Sequence, residues 1–471
     1  MHDWAERQRP AVIIGLMDNK PPKYARPLTL AAMSLGFGVV QLDVTIVNTA
    51  LTTIGGALGG AVSELQWVVN TYTIGFAALI LTAGALGDRV GAKRIFMAGF
   101  AIFTAASVAC AMAPDFTLLI VARAVQGIGA AVLVPNSLAL LNHAYPEEKE
   151  RGWAVGVWAA GASLALTAGP LAGGGLIALI GWRSIFLVNL PIGLVGLGLT
   201  WRYASETTRM PDRQIDVLGQ ITAIGALACL AGAMIEGGAL GWSNRWVDAG
   251  FAAFALLATA FIINEWHSPQ PMLPLQLFKR PMFRLTSIVG LLANAAFYGL
   301  IFVLSLYFQQ IDGWSPLRTG LAFLPMMGMV LPMNLLAARI TRRWGAPATI
   351  AAGATIAAAG CLTLIGIEPR TAYWALCAQL VAIGAGLGLL VPPLTSALLG
   401  SVDKARSGLA AGVLNSTRQT GSVVGVALFG SLVARKAEFI AGARVALTIS
   451  AVLLMLAAVA IRVGAHDQSE S

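Results

Sequence analysis

Long apolar runs separated by short polar turns dominate the hydrophobic pattern of this chain. Fourteen runs are long enough to be membrane-spanning helices, because each exceeds the ~18 residues that mark a span. They cover residues 28–51, 65–86, 94–112, 116–141, 152–178, 184–203, 216–236, 247–265, 284–308, 317–340, 346–366, 371–399, 406–433 and 441–462. The pattern therefore predicts an all-α polytopic membrane protein with 14 transmembrane helices and both chain ends on one side.

The composition also indicates a chain that mostly faces lipid or its own interior. Of its 471 residues, 57% are hydrophobic and 11% charged, with a mean hydropathy of +0.75, whereas a soluble domain carries roughly 25% charged residues. The bases lie at the ends of the apolar runs, so the net charge of +9 does not indicate nucleic-acid binding. The four cysteines lie inside apolar runs without metal-site spacing. We expect a lipid bilayer as surroundings, no metal and no nucleic acid.

The distribution of Lys and Arg predicts the orientation. If the fourteen spans alternate, 22 bases lie on the side of both chain ends and seven on the other, which leaves Arg123 and Arg418 within the membrane. Because loops rich in Lys and Arg stay in the cytoplasm, we expect both ends there. Residues 1–27 have no apolar core and are predicted to be an N-terminal tail, and residues 463–471 a C-terminal tail.

The two halves of the chain repeat each other. Residues 127–135 recur as 384–392, an offset of 257, and the turn at Gly91 has a weaker copy at Gly345 that contains no acid. Parallel repeats of this kind are typical of secondary transporters. We predict two pseudo-symmetric six-helix bundles at 28–203 and 284–462, with linkers and two inserted spans at 204–283.

The turn between the second and third spans, residues 84–94, combines glycines, one acid and three bases. Glycines permit a sharp bend and close helix contact, and Asp88 could interact with the N-terminus of the span that begins near Arg406. The turn is therefore a candidate conformational gate. The alternative is a plain basic turn that only fixes orientation. The gate residues are Gly84, Gly87, Asp88, Arg89, Gly91, Lys93 and Arg94.

Two opposite charges within the membrane are candidates for proton coupling. Asp43 lies inside the first span, and Arg123 lies inside the fourth, three residues before Gln126 on the same helix face. A charge at this depth costs at least ~2.5 kcal/mol, so it should face a cavity or a partner. We predict that Asp43 carries or relays a proton and that Arg123 tunes it. The alternatives are a structural carboxylate and an arginine that extends to the headgroups.

The fifth span carries a stripe of small residues interrupted by a proline. Pro170 removes a helix hydrogen bond and is expected to bend the span, while small residues four apart permit close packing. This candidate bend consists of Gly161, Gly169, Pro170, Gly173 and Gly174.

Polar and aromatic residues within the spans are candidates for the lining of a central cavity. For Arg418, in the thirteenth span, the sequence leaves two roles open, in the cavity or at the gate. The candidates are Asn48, Gln126, Trp158 and Arg418.

These motifs together resemble those of the major facilitator superfamily, in its fourteen-span drug:proton antiporter branch. Residues 84–94 are similar to the superfamily's loop between spans 2 and 3, and residues 42–51 to the first-span motif of the branch. Arg123 with Gln126 resembles the span-4 motif tied to proton coupling. Gly169 and Pro170 resemble the span-5 antiporter motif, which is associated with export.

The resemblance implies alternating access around a central cavity and proton-driven efflux across a bacterial inner membrane. The expected substrates are amphipathic organic compounds, cationic or neutral, exchanged for protons without a cofactor. The sequence contains no recognisable set of catalytic residues, and it does not indicate whether an accessory export protein takes part. A proton-coupled importer of a small solute and a membrane sensor that binds a ligand without transport are the alternatives.

Overall fold

The computed structural model describes residues 24–211, 215–403 and 406–469, with side chains described from Tyr24 to Gly464. Within these ranges the chain is helical and has no strand. The predicted N-terminal tail lies outside the described residues up to position 23. The α-helices are α1 (Ala25–Leu58), α2 (Val62–Val90), α3 (Ala92–Met112), α4 (Phe116–Ala144), α5 (Glu148–Leu179), α6 (Ser184–Leu187), α7 (Asn189–Tyr203), α8 (Val217–Leu240), α9 (Arg245–His267), α10 (Pro281–Leu306), α11 (Pro316–Ala322), α12 (Leu324–Trp344), α13 (Ala346–Leu364), α14 (Tyr373–Gly400), α15 (Ser407–Leu432) and α16 (Phe439–Ser469).

Thirteen of the predicted spans are helices long and apolar enough to cross a membrane. The remaining span is α15, a helix of 26 residues whose middle holds the polar run 415–420. Its neighbours α2, α8 and α10 pack around it, as expected for polar residues within a membrane. The fold is therefore all-helical and multi-pass, as predicted.

Three predicted helices differ in detail from the structure. The sixth span is split at Val188 into α6 and α7, because Pro191 lacks the N–H that would bond the carbonyl of residue 187. The tenth span is split at Phe323 into α11 and α12. The last helix continues to Ser469, so it runs past residue 462, where a C-terminal tail was expected to begin.

The helices of the two halves pair in the same way. In the first half α1 packs on α5, α2 on α4 and α3 on α4; in the second half α10 packs on α15, α12 on α14 and α13 on α14. The inserted helices α8 and α9 pack together, and α8 lies against both α2 and α15. Helices α1 and α5 begin on one side, where Arg26 pairs with Glu150 at 3.1 Å. That side is called the basic side below.

One face of α5 shows where the two halves touch and where they separate. Near the end of α5, Gly174 lies against the first residues of α11. Two turns earlier the hydroxyl of Thr167 donates to the carbonyl of Met327 on α12 at 3.5 Å. Gly156 and Ala160 continue the same face toward the basic side, and both are exposed. Along α5 the two halves therefore meet on the far side and separate toward the basic side, while α2 and α15 stay in contact there through Leu81 and Gly412.

Candidate functional site

Asp43 and Arg123 form an ion pair buried within the first half of the chain. Asp43 lies midway along α1 and Arg123 two turns into α4, and their side chains are 0% and 1% exposed. Nη1 of Arg123 donates to Oδ2 of Asp43 at 2.5 Å, and Nε donates to the carbonyl of Val68 at 3.1 Å. Arg123 therefore does not extend to the headgroups. Each charge has the partner that burial demands.

Three neutral side chains complete a polar network around this pair. Gln126 accepts from Nη1 of Arg123 at 2.7 Å and donates to Oδ1 of Asp43 at 2.8 Å. Asn189, the first residue of α7, donates to the same oxygen at 3.1 Å. The hydroxyl of Ser107 on α3 accepts from both amides, at 2.8 and 3.2 Å. Four helices thus contribute side chains to one polar network.

The network determines what a proton would do at this site. The Asp43 carboxylate accepts three hydrogen bonds, and one of them comes from a guanidinium. Protonation of Asp43 would cancel the charge that balances Arg123 and leave a buried cation unpaired, which is strongly unfavourable. The predicted proton coupling would therefore act on the packing of the surrounding helices.

Two aromatic rings flank the guanidinium of Arg123. The guanidinium carbon of Arg123 lies 4.2 Å from the ring centre of Tyr72 on α2 and 5.9 Å from that of Phe186 on α6. Arg123 and Tyr72 also line a narrow cavity that reaches the second half and is called the central cavity below. Its other lining residues are Val44, Val47, Asn48, Val69, Thr73, Tyr298, Ser422 and Val426.

Ser107, Asn189 and Tyr72 were not predicted as site residues. The available signal was a polar group inside an apolar run, which should have a partner within the protein. That signal is weak for Ser, because a helical hydroxyl often bonds to its own backbone. Ser107 does so as well, donating to the carbonyl of Phe103 at 2.8 Å.

At the candidate bend, α5 remains helical through Pro170. Pro170 has no N–H to donate to the carbonyl of Leu166, one turn earlier. The hydroxyl of Thr45 on α1 donates to that carbonyl instead, at 3.0 Å. A side chain of α1 thus replaces the missing helix hydrogen bond.

The glycines of the bend are needed to different degrees. A methyl group at Gly169 would overlap the Thr45 hydroxyl, and one at Gly173 would overlap Thr49. At Gly174 it would press on α11, and at Gly161 it would lie 3.7 Å from Ser34, an ordinary contact. Gly169 and Gly173 therefore allow α1 and α5 to pack closely, and Gly174 allows the two halves to meet.

The turn at 84–94 is held against the chain that follows the first six spans. Gly91 has a φ of 113°, a conformation that favours glycine. The carboxylate of Glu206 lies beside it and accepts from the backbone N–H groups of Lys93 and Arg94 at 2.8 and 3.3 Å. The ammonium of Lys93 donates to the carbonyl of Trp201 at 3.0 Å. Glu206 thus caps the N-terminus of α3, a role that the sequence did not reveal.

Two further gate glycines differ in how tightly they pack. A methyl group at Gly87 would overlap the amide of Asn136 on α4, which itself donates to the carbonyl of Ala83 at 3.1 Å. A methyl group at Gly84 would lie 3.6 Å from Pro135. The backbone carbonyl of Asp88 accepts from the N–H of Met210 at 2.7 Å. The interaction of Asp88 with the N-terminus of α15 stays a prediction, as does any role for Arg89.

Helix α15 packs along α2. The hydroxyl of Ser416 donates to the carbonyl of Ala77 at 2.8 Å. Nearer the far side, the amide of Gln66 donates to the carbonyls of Val426 and Ala427 at 3.0 and 2.7 Å. A movement of one half relative to the other must therefore change this contact.

The four predicted cavity residues lie in different surroundings. Asn48 lines the central cavity, and its backbone carbonyl accepts from the hydroxyl of Ser305 on α10. Gln126 belongs to the buried network. Trp158 stacks on Phe37 with ring centres 4.2 Å apart, so it packs within the first half. Arg418 lies on α15 and is partly exposed.

Comparison with known proteins gives a consistent result. The profile of the Major Facilitator Superfamily matches residues 33–426. A methylenomycin A resistance protein of Streptomyces coelicolor is 37% identical over 88% of this chain and 87% of its own length. A protein of the same name from Bacillus subtilis is 35% identical over 92% of this chain and 93% of its own. The multidrug resistance protein Stp of Mycobacterium tuberculosis is 37% identical over 86% of this chain and 76% of its own.

Solved structures share the fold. A bacterial homologue of the lysosomal transporter Spinster, in an inward-facing and unoccupied conformation, gives a TM-score of 0.66. It is 16% identical and covers 94% of this chain and 98% of its own.

Proposed function

Because the chain belongs to the major facilitator superfamily, we propose that it is a proton-driven exporter of drug-like or antibiotic organic compounds that works by alternating access. It is a transporter and not an enzyme. The observation that carries the proposal is the buried Asp43–Arg123 pair, which lies beside the cavity between the two halves. The names of its resistance and efflux relatives support export over import.

In this proposal a proton changes the charge of the Asp43–Arg123 pair, and this change alters how the surrounding helices pack. When the halves are open to the far side, a proton binds Asp43 and removes the partner of Arg123. The unpaired guanidinium favours a different packing of α1 and α4, which releases the compound on the far side and returns the opening to the basic side. Loss of the proton to the basic side restores the pair. The proton gradient is the only energy source, so no cofactor is required.

The proposed orientation places the basic side in the cytoplasm of a bacterium, with the protein in its cytoplasmic (inner) membrane. The excess of Lys and Arg on that side supports this orientation. The separation along α5 would then face the cytoplasm, where an exporter loads its substrate.

The test uses proteoliposomes loaded with a pH-sensitive dye and given a panel of amphipathic compounds under an imposed pH gradient. We expect compound-dependent proton movement in the wild type and none in Asp43→Asn. The matched control is Asp248→Asn, which removes an exposed carboxylate from α9 and should behave as wild type.

Full compound-dependent proton movement in Asp43→Asn would remove Asp43 from the mechanism. If compound and proton move in the same direction, the protein is an importer. If the protein binds compounds and moves neither them nor protons, it is a sensor.

A further inference from the structure

Arg418 is a charge that the proposed proton pathway does not use. It lies near the middle of α15, and no described residue forms a hydrogen bond or ion pair with it. A cation at such depth normally has a partner or a function. Its aliphatic stem lies against α10, since Cγ would be 3.4 Å from a methyl group at Gly290. The charge is therefore not neutralised by any described residue.

The helix geometry directs Arg418 toward the central cavity. Ser422 and Val426 line that cavity, and residues four apart share one face of a helix. Tyr298, on the helix α10 against which the Arg418 stem lies, is also in the lining. Arg418 thus lies on the cavity-facing side of α15, one turn nearer the basic side than Ser422. This placement favours the cavity over the gate, the two roles that the sequence left open.

The charges around the cavity do not balance. Arg123 is neutralised by Asp43, and no carboxylate is among the described residues of the lining. Arg418 therefore leaves an excess of one positive charge, next to aromatic and aliphatic side chains. A guanidinium binds a carboxylate through two parallel hydrogen bonds. The cavity holds only about 10 Å³ as the helices lie here, so a molecule with an apolar body and one acidic group would enter the site when the two halves move apart.

We propose that the substrates are amphipathic organic acids, and that Arg418 binds their carboxylate in the cavity. This replaces the expectation of cationic or neutral substrates, and it rests on the proposed export function. Export of such an anion in exchange for a proton moves net positive charge inward. An inside-negative membrane potential would therefore drive it together with the pH gradient.

The test measures binding by isothermal titration calorimetry on the purified protein. The probes are ten aromatic carboxylates, among them 1-naphthaleneacetate, each with its neutral amide, and the cation rhodamine 6G. We expect at least one acid to bind the wild type about tenfold or more tightly than its amide, as for a hydrogen bond to a charged group. Arg418→Gln should abolish this preference and leave amide binding unchanged. Arg284→Gln, at an exposed site on α10, is the control.

Several outcomes would overturn the proposal. They are the absence of any acid preference in the wild type, tighter binding of rhodamine 6G than of every acid, and a preference that persists in Arg418→Gln. If Arg418→Gln does not fold, Arg418→Lys replaces it, and it should weaken acid binding while amide binding stays constant.

The same protein in the proton-flux assay separates this inference from the export proposal. Acids that bind through Arg418 but are never moved would contradict export alone. Proton-coupled movement of cations without acid binding would contradict the role of Arg418 alone.

Discussion

Helices α4 and α14 occupy matching places in the two repeats, but their buried faces differ. With the offset of 257 that superposes residues 127–135 on 384–392, Arg123 matches Leu380 and Gln126 matches Ile383. All four side chains are buried, at 1% exposure or less. The first half therefore encloses an ion pair where the second half encloses only apolar groups.

This difference indicates that the two halves of the chain have different roles. An apolar core is stabilised by burial alone and keeps one packing. A buried ion pair depends on the charge of both members, so it responds to a proton. On the proposed function, the first half contains the proton-sensitive element, while the second contributes Arg418 to the gap between the halves. Four substitutions test this comparison, in order of decreasing effect.

The largest effect is expected when Arg123 is replaced by leucine, the residue at the matching position of the second half. Arg123→Leu leaves the Asp43 carboxylate buried without its partner, which costs about 3–5 kcal/mol. We expect a large loss of thermal stability in detergent and no transport. Arg123→Leu combined with Asp43→Asn should regain most of the stability and none of the transport. A single variant as stable as wild type would show that the pair carries no net interaction.

The contact between α2 and α4 should show the next largest effect. Gly87→Ala places a methyl group on the amide of Asn136, and overpacking of this kind costs about 1–3 kcal/mol. The matched position in the second half, Pro393, has no amide. We expect slower transport cycling and a lower melting temperature. Gly84→Ala is the control, and equal effects of the two variants would contradict the predicted role of Asn136.

The bond that replaces the missing N–H of Pro170 should contribute less. Thr45→Val removes the donor to the carbonyl of Leu166 and should cost about 1 kcal/mol, while Thr45→Ser retains it. With the offset of 256 that superposes Gly169 on Gly425, Pro170 matches Val426 in the second half, which has its own N–H. Pro170→Ala should therefore reduce the cost of Thr45→Val, and a double-mutant cycle on thermal stability measures the coupling. Additive effects would mean that the Thr45 hydroxyl does not serve this carbonyl.

The smallest effect is expected at the turn between α2 and α3. Glu206→Gln keeps an acceptor for the N–H of Lys93 but removes the charge at the start of α3, which is worth about 0.3–1 kcal/mol. The turn at Gly345 in the second half contains no acid. In Glu206→Gln the turn at Gly91 should therefore resemble the turn at Gly345, and amide hydrogen exchange at Lys93 and Arg94 should become faster. Unchanged exchange would mean that the hydrogen bonds, and not the charge, hold this turn.

The sequence predicted much of the fold and the centre of the site. The positions of the spans, the repeat and the two buried charges Asp43 and Arg123 all follow from it. It did not reveal Asn189 or Ser107, since a neutral polar residue costs little in a helix and has many reasons to be there. It also missed Glu206, which lies in a polar linker where acids are common. The substrate charge suggested by family resemblance differs from the one that Arg418 favours.

The sequence by itself determined which segments cross the membrane and which charges lie within it. Both follow from local properties, namely the length of an apolar run and the free energy of a charge in lipid. The tertiary structure alone decided the partners. Thr45 meets the carbonyl of Leu166, Asn189 meets Asp43, and Arg418 meets no anion among the described residues. Such contacts depend on the depth and angle at which helices distant in sequence cross, which no single segment specifies.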